Sequence, residues 1–134
     1  MKTRRLGKTE LQVSEIGFGG EWLERHPEEE SIELIHYASS KGINILDCWM
    51  PDLKSRNIIE GIKENRSQWF IQGHIGSTWK DEQYYRTREM EYVRPAFEDL
   101  LKRLQTDYID LGMIHYVDSE EEWDDLQQSE YMDY

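Results

Sequence analysis

The chain predicts an α/β protein in which parallel strands alternate with helices, and three observations carry that reading. Tyr108-Ile-Asp-Leu-Gly-Met-Ile114 is a run apolar enough to be buried on both faces, with Asp107 and Asp118 marking the loops around it. It delivers His115 at its carboxyl end, where parallel sheets carry their chemistry. Upstream, the shorter strand-like runs Gly42–Leu46 and Gln68–His74 are separated by segments of helical period.

Taken in order, Met1 to Gly20 reads as a short hairpin turning at Gly7 to Glu10, then a strand closing on glycines. Pro27 to Gly42 predicts a helix with proline in its first turn, acids beside it and a glycine just past its end. Ile32, Ile35 and Ala38, widened by Leu34, give it one face to lay on a sheet. His36 falls on the flank of that helix and His26 in the polar stretch before it, so both are expected at the surface. Gly42 to Leu46 is the next strand, Asp47 to Leu53 its exit loop, and Ser55 to Asn65 a helix carrying Ile58, Ile59 and Ile62.

Gln68 to His74 is the following strand. Ile75 to Arg88 is polar and aromatic without clear period and reads as a long loop, a kind of segment often used for function. A helix then runs to about Leu104 with Val93, Ala96, Phe97, Leu100, Leu101 and Leu104 on its buried side, and Pro95 in its first turn or at a kink. No internal repeat or flexible linker interrupts this order.

Composition narrows the function classes. The net charge of −12 gives no basic stripe for nucleic acid. No run of 18 apolar residues and no apolar segment after Met1 suggests a membrane span or secretion, and one cysteine cannot make a disulfide framework, so a cytoplasmic origin is expected. Residues 118–134 hold eight acids and no base. Such a run fits the solvated face and first turn of a helix, where carboxylates favour the dipole, better than an acidic docking tail.

Two segments look like motifs and need weighing. Gly17-Phe-Gly-Gly-Glu-Trp22 begins like the dinucleotide fingerprint G-x-G-x-x-G, but Trp22 replaces the last glycine and no helix opens there, so it is not a Rossmann phosphate turn. Trp22, Trp49 and Trp79 fall on loops at one end of the sheet and could wall an apolar pocket, whereas Trp69 and Trp123 suit packing. Cys48 alternates away from Asp47 and reads as a small buried side chain.

The first twenty residues, Gly42-Ile-Asn-Ile-Leu-Asp47 and Thr106-Asp-Tyr-Ile-Asp-Leu111 together resemble the aldo/keto reductase family, in order and at compatible spacings over residues 1 to about 118. The resemblance implies a (β/α)8 TIM barrel working with a nicotinamide cofactor. A barrel of that type needs about 250 residues, so this chain is read as its amino-terminal hairpin (residues 1–14) and about four βα units (residues 15–134), cut short inside the last helix. A half-barrel of this kind is expected to self-associate.

The family's matching site positions are an aspartate, a tyrosine, a lysine and a histidine. Here they correspond to Asp47, Asp52, His74 and His115, so the aspartate and histidine are kept and the tyrosine and lysine are replaced. The resemblance further implies cofactor contacts at Gly19, Gly20, Glu21 and Asp47, with most of the NADP(H) site in the missing half, and a small-molecule carbonyl or alcohol substrate.

The replacements matter chemically. A phenol of reference pKa near 10 can donate a proton at neutral pH, whereas an aspartate near 3.9 is already ionised. A carboxylate about 4 Å from a developing oxyanion opposes the reaction by roughly 4 kcal/mol at an effective dielectric of about 20. The acid would then be a histidine, His115 or His74, charged by Asp47 or Asp52. Two other readings start from the same residues: a nucleotide-binding barrel without catalysis, and a metal-dependent barrel hydrolase or lyase using Asp47, His74 and His115.

Overall fold

The computed structural model describes residues 1–48, 54–81 and 83–134. The chain begins with the antiparallel pair β1 (Thr3–Arg5) and β2 (Gln12–Ser14). Gly7 takes the left-handed conformation in the turn between them. Four strands then form one parallel sheet in the order β3 (Phe18–Gly19), β4 (Ile45–Cys48), β5 (Phe70–Ile75) and β8 (Leu111–Ile114). Helices α1 (Glu28–Ser40), α2 (Lys54–Ile62) and α3 (Met90–Arg103) connect them, and α4 (Glu120–Gln127) and α5 (Glu130–Asp133) follow. Strands in sequence order, parallel and joined by helices, make this the first part of a TIM-type barrel.

Strand alternation divides the sheet into two faces. Leu46, Cys48, Ile71 and the Cα of Gly73 point to the helix side, where they meet Ile35, Ile58, Ile62, Leu100 and Leu104 in one buried cluster that also holds Trp69. Cys48 is 1% exposed there, as its alternation with Asp47 requires. Gly61 lets α1 and α2 close on each other: a Cβ at that position would lie 2.6 Å from Ile35 Cδ1.

Several elements differ from their sequence-based outlines. The second parallel strand runs later than predicted, so Asp47 is inside β4 and not at the start of its exit loop. In α1 the buried positions are Ser31, Ile35 and Ala38, while Leu34 is exposed, because Ser31 hydrogen-bonds the Leu23 and Pro27 carbonyls and takes the inner face itself. Pro95 sits in the second turn of α3. The Tyr108–Ile114 run is strand only over Leu111–Ile114 and is half-buried, since β8 is a sheet edge with a neighbour on one side. Trp123 is exposed, not packed.

The largest difference lies in residues 75–88, which form an antiparallel hairpin, β6 (Ser77–Lys80) with β7 (Gln83–Arg86), in place of an irregular loop. It is aimed by two left-handed residues, Gly76 at φ +96° and Asp81 at φ 53°. The acidic run behaves as expected of a helix start. The Ser119 hydroxyl accepts from the Glu122 amide, and the Glu122 carboxylate accepts from the Asp118 amide.

Candidate functional site

The same alternation that buries Leu46 and Ile71 sends Asp47, Gln72 and His74 to the other face. Asp47 lies opposite Gln72 in the β4–β5 register, and His74 is two residues further along the same strand. Met113 lies opposite His74, and His115 follows two residues later, just beyond β8. Strand parity alone therefore brings three of the sequence-predicted residues together at the carboxyl end of the sheet.

Their contacts are direct. Asp47 Oδ1 receives the Gln72 amide at 2.7 Å and lies 2.8 Å from His74 Nε2. The His74 and His115 rings meet edge to face with centroids 4.6 Å apart. Burial pushes the Asp47 carboxyl up, but the hydrogen bonds from His74 and Gln72 and the charges of both histidines outweigh it, so its pKa falls below the ordinary value. Asp52, expected beside this group, lies outside the described residues, as does Trp49.

His115 departs from the sequence-based expectation. A neighbouring carboxylate was expected to raise its pKa, and the structure lowers it. Burial disfavours the imidazolium most, the charge of His74 adds to that, and Arg86 contributes, while the upward pull of Asp47 does not compensate. Asp47 accepts its hydrogen bond from His74 instead. The imidazolium form of His115 is thus less favoured than that of a free histidine.

The sequence reading missed four partners of this site. Ser77, 3% exposed, places its hydroxyl 3.1 Å from His115 Nδ1 and 3.3 Å from the Tyr84 hydroxyl. Tyr116 stacks on His115 with centroids 3.7 Å apart and is held at φ 58°, and Arg86 and Arg88 both donate to its carbonyl. Gln72 is the fourth. It was findable by period two from His74, whereas Ser77 and Tyr84 needed the hairpin, whose signal was aromatic and threonine residues flanking Lys80-Asp-Glu-Gln83.

At the first strand end, no atom of the described residues lies within 4 Å of where a Gly19 side chain would begin, and Glu21 beside it is exposed. Gly20 has a structural cause: a Cβ there would stand 2.6 Å from the Asp47 carbonyl. Trp22 and Trp79 are exposed, Trp22 beneath the Arg25 guanidinium. Among the described residues, no group of three or more His, Cys, Asp or Glu side chains is arranged to hold a metal ion.

The sequence profile of the aldo/keto reductase family matches residues 15–133. The chain belongs to that family. An aldo-keto reductase of Bacillus subtilis, YhdN, is 33% identical over 129 residues, covering 88% of this chain and 39% of its own length. A Pseudomonas aeruginosa protein assigned to the aldo-keto reductases superposes with a TM-score of 0.81 at 30% identity, over 96% of this chain and 52% of that one. A Klebsiella pneumoniae aldo-keto reductase, solved in complex with NADPH, shares the fold at a TM-score of 0.67 and 18% identity, over 93% of this chain and 45% of that one. The chain therefore spans about two fifths to half the length of these family members.

Proposed function

We propose that the complete protein carrying this chain is an aldo/keto reductase-like oxidoreductase that interconverts small carbonyl compounds and alcohols with NADP(H), and that these 134 residues alone are inactive. The observation that carries the reading is the contact of Asp47, His74 and His115 at the carboxyl ends of successive parallel strands, in a chain of this family. The NADPH held by the Klebsiella relative supports the choice of cofactor through the shared fold. When bound, the cofactor supplies hydride. Gly19, Gly20, Glu21 and Asp47 are the residues of this chain that would meet its nicotinamide end, and its phosphates would be held by the remainder of the barrel.

In this reading Asp47 orients His74, and His115 presents a proton to the carbonyl oxygen as hydride reaches the carbon. A neutral imidazole can do this as a hydrogen-bond donor, as in other enzymes where a histidine polarises a carbonyl. Asp52 and His74 stand where the family has tyrosine and lysine, so proton donation falls to histidine.

The test is NADPH-dependent carbonyl reduction by the completed barrel. His115→Ala should cost about 10² to 10⁴-fold in rate with cofactor binding preserved, the usual worth of general acid catalysis. A barrel that binds NADPH but reduces nothing until Asp52→Tyr and His74→Lys are introduced would instead establish a non-catalytic nucleotide-binding protein. Activity lost to chelators and indifferent to NADPH would establish the metal-dependent alternative.

A further inference from the structure

We propose that Ser77 and Tyr84 form a proton relay into His115 that takes the place of the family's missing tyrosine, Ser77 fixing the tautomer of His115 and Tyr84 supplying the proton. This rests on the reductase reading above for its chemistry, and on the hairpin geometry for its parts.

A neutral histidine bears one ring proton, and what its other nitrogen contacts decides where that proton sits. Ser77 Oγ is buried between two partners, His115 Nδ1 at 3.1 Å and the Tyr84 hydroxyl at 3.3 Å. With the Tyr84 hydroxyl donating to Ser77 and Ser77 donating to Nδ1, the three groups run in one direction and the proton of His115 is on Nε2. The stacked Tyr116 ring and the edge of His74 hold the imidazole plane. The hairpin is thus a second source of catalytic geometry, joined to the barrel through Gly76 and paired by the Thr87 amide to the Gly76 carbonyl at 3.1 Å.

In the reducing direction the carbonyl carbon accepts a hydride with its electron pair from the reduced nicotinamide, and the C=O π pair moves to oxygen. That oxygen takes the Nε2 proton, Nδ1 takes the Ser77 proton, and Ser77 Oγ takes the Tyr84 proton. The products are an alcohol, the oxidised cofactor and a tyrosinate that solvent reprotonates. Tyr84 is the right end for the chain because a phenol is a stronger acid than a serine hydroxyl or a neutral imidazole. Its pKa is nonetheless raised above the ordinary phenol value, by burial first and by the Tyr116 hydroxyl, with Ser77 and Arg86 opposing. The other charged groups around the relay are Asp47, His74 and Arg88. Ser77 and Tyr84 are positioning residues, acting through His115.

The relay can be read without cofactor or turnover. Magic-angle-spinning ¹⁵N spectra of the histidine-labelled chain, assigned with His115→Gln, report the tautomer whether or not the chain self-associates. The expected result is an unprotonated Nδ1 and a protonated Nε2 on His115. Ser77→Ala should mix the two tautomers and Ser77→Thr should restore one, while Tyr84→Phe should shift the Nδ1 resonance without unfolding the hairpin. A protonated Nδ1 in the native chain, or a His115 spectrum untouched by Ser77→Ala in a folded chain, overturns the proposal. In the completed barrel, kcat should stay level through the ordinary histidine range and fall only at alkaline pH as Tyr84 ionises. Tyr84→Phe should lower kcat at least tenfold at unchanged KM. A rate that falls through the histidine range and ignores Tyr84→Phe overturns the relay but leaves the reductase intact. Absence of any reduction with the ¹⁵N result as expected rejects the reductase and keeps the hydrogen-bonded array.

Discussion

Asp47 is where the local chemistry concentrates, because one carboxylate oxygen serves both the Gln72 amide and the His74 ring. Asp47→Asn removes the charge and offers one of these partners a poorer acceptor, so the chain should lose about 1–3 kcal/mol, the usual cost of leaving a partly buried polar group unsatisfied. The shift of its denaturant midpoint measures that. The pH dependence has a definite sign. The folded Asp47 pKa lies below its ordinary value, so its contribution is complete above the ordinary carboxylate range and is lost as pH falls through the folded value. His115 adds to the same slope, since its lowered pKa lets the unfolded chain bind a proton first. Acid titration of stability should therefore be steeper in the wild type than in Asp47→Asn, and equal slopes would mean that the carboxylate is not the group responsible.

Two elements are set by single glycines. Gly76 turns the chain from β5 into the hairpin at φ +96°, and a side chain there would be strained and would approach the Thr87 carbonyl at 3.1 Å. Gly76→Ala should cost about 1–3 kcal/mol and move Ser77 away from His115. The two effects separate by reading stability from unfolding and the contact from the ¹⁵N shift of His115. Between α1 and α2, Gly61→Ala would press three Ile35 atoms, the nearest at 2.6 Å, and should cost about 1–3 kcal/mol by overpacking that contact. Ile35→Val in the same chain should recover part of it, and no recovery would place the strain elsewhere.

At the scale of the molecule the sheet remains open. β3 and β8 each have a neighbour on one side, and Ile45, Phe70, Leu111 and Met113 on the inward face are only partly buried. An apolar cleft of about 310 Å³, lined by Ile75, Phe97, Ile109, Gly112, Ile114 and Tyr131 among others, runs beside the β8 edge. Unpaired strand edges and uncovered apolar surface favour association, so the 134-residue chain should self-associate in solution. Light scattering showing a stable monomer with a sharp cooperative melt would contradict this. The same chain should bind NADPH weakly or not at all and the completed barrel should bind it, a contrast that fluorescence titration of the two reads directly.

The sequence by itself determined the order of strands and helices, the helix-side core built on Ile35, Ile58, Ile62 and Leu100, and the strand ends bearing Asp47, His74 and His115, because these follow from local period and alternation. It also carried the family, through motifs at three strand ends. What it could not determine was the direction in which the His115 pKa moves or the membership of Ser77, Tyr84 and Tyr116, since these depend on which groups meet across long sequence separations. His115 meets Ser77 across a separation of 38 residues and lies beside His74 across 41, and the burial created by that meeting lowers its pKa against the nearby carboxylate. The loop-like composition of residues 75–88 likewise became a hairpin only where Gly76 aimed it and Arg86 and Arg88 tied its far end to the Tyr116 carbonyl. Periodicity records which face a residue occupies, whereas the charge state and partners of a site are fixed by the neighbours that folding brings to that face.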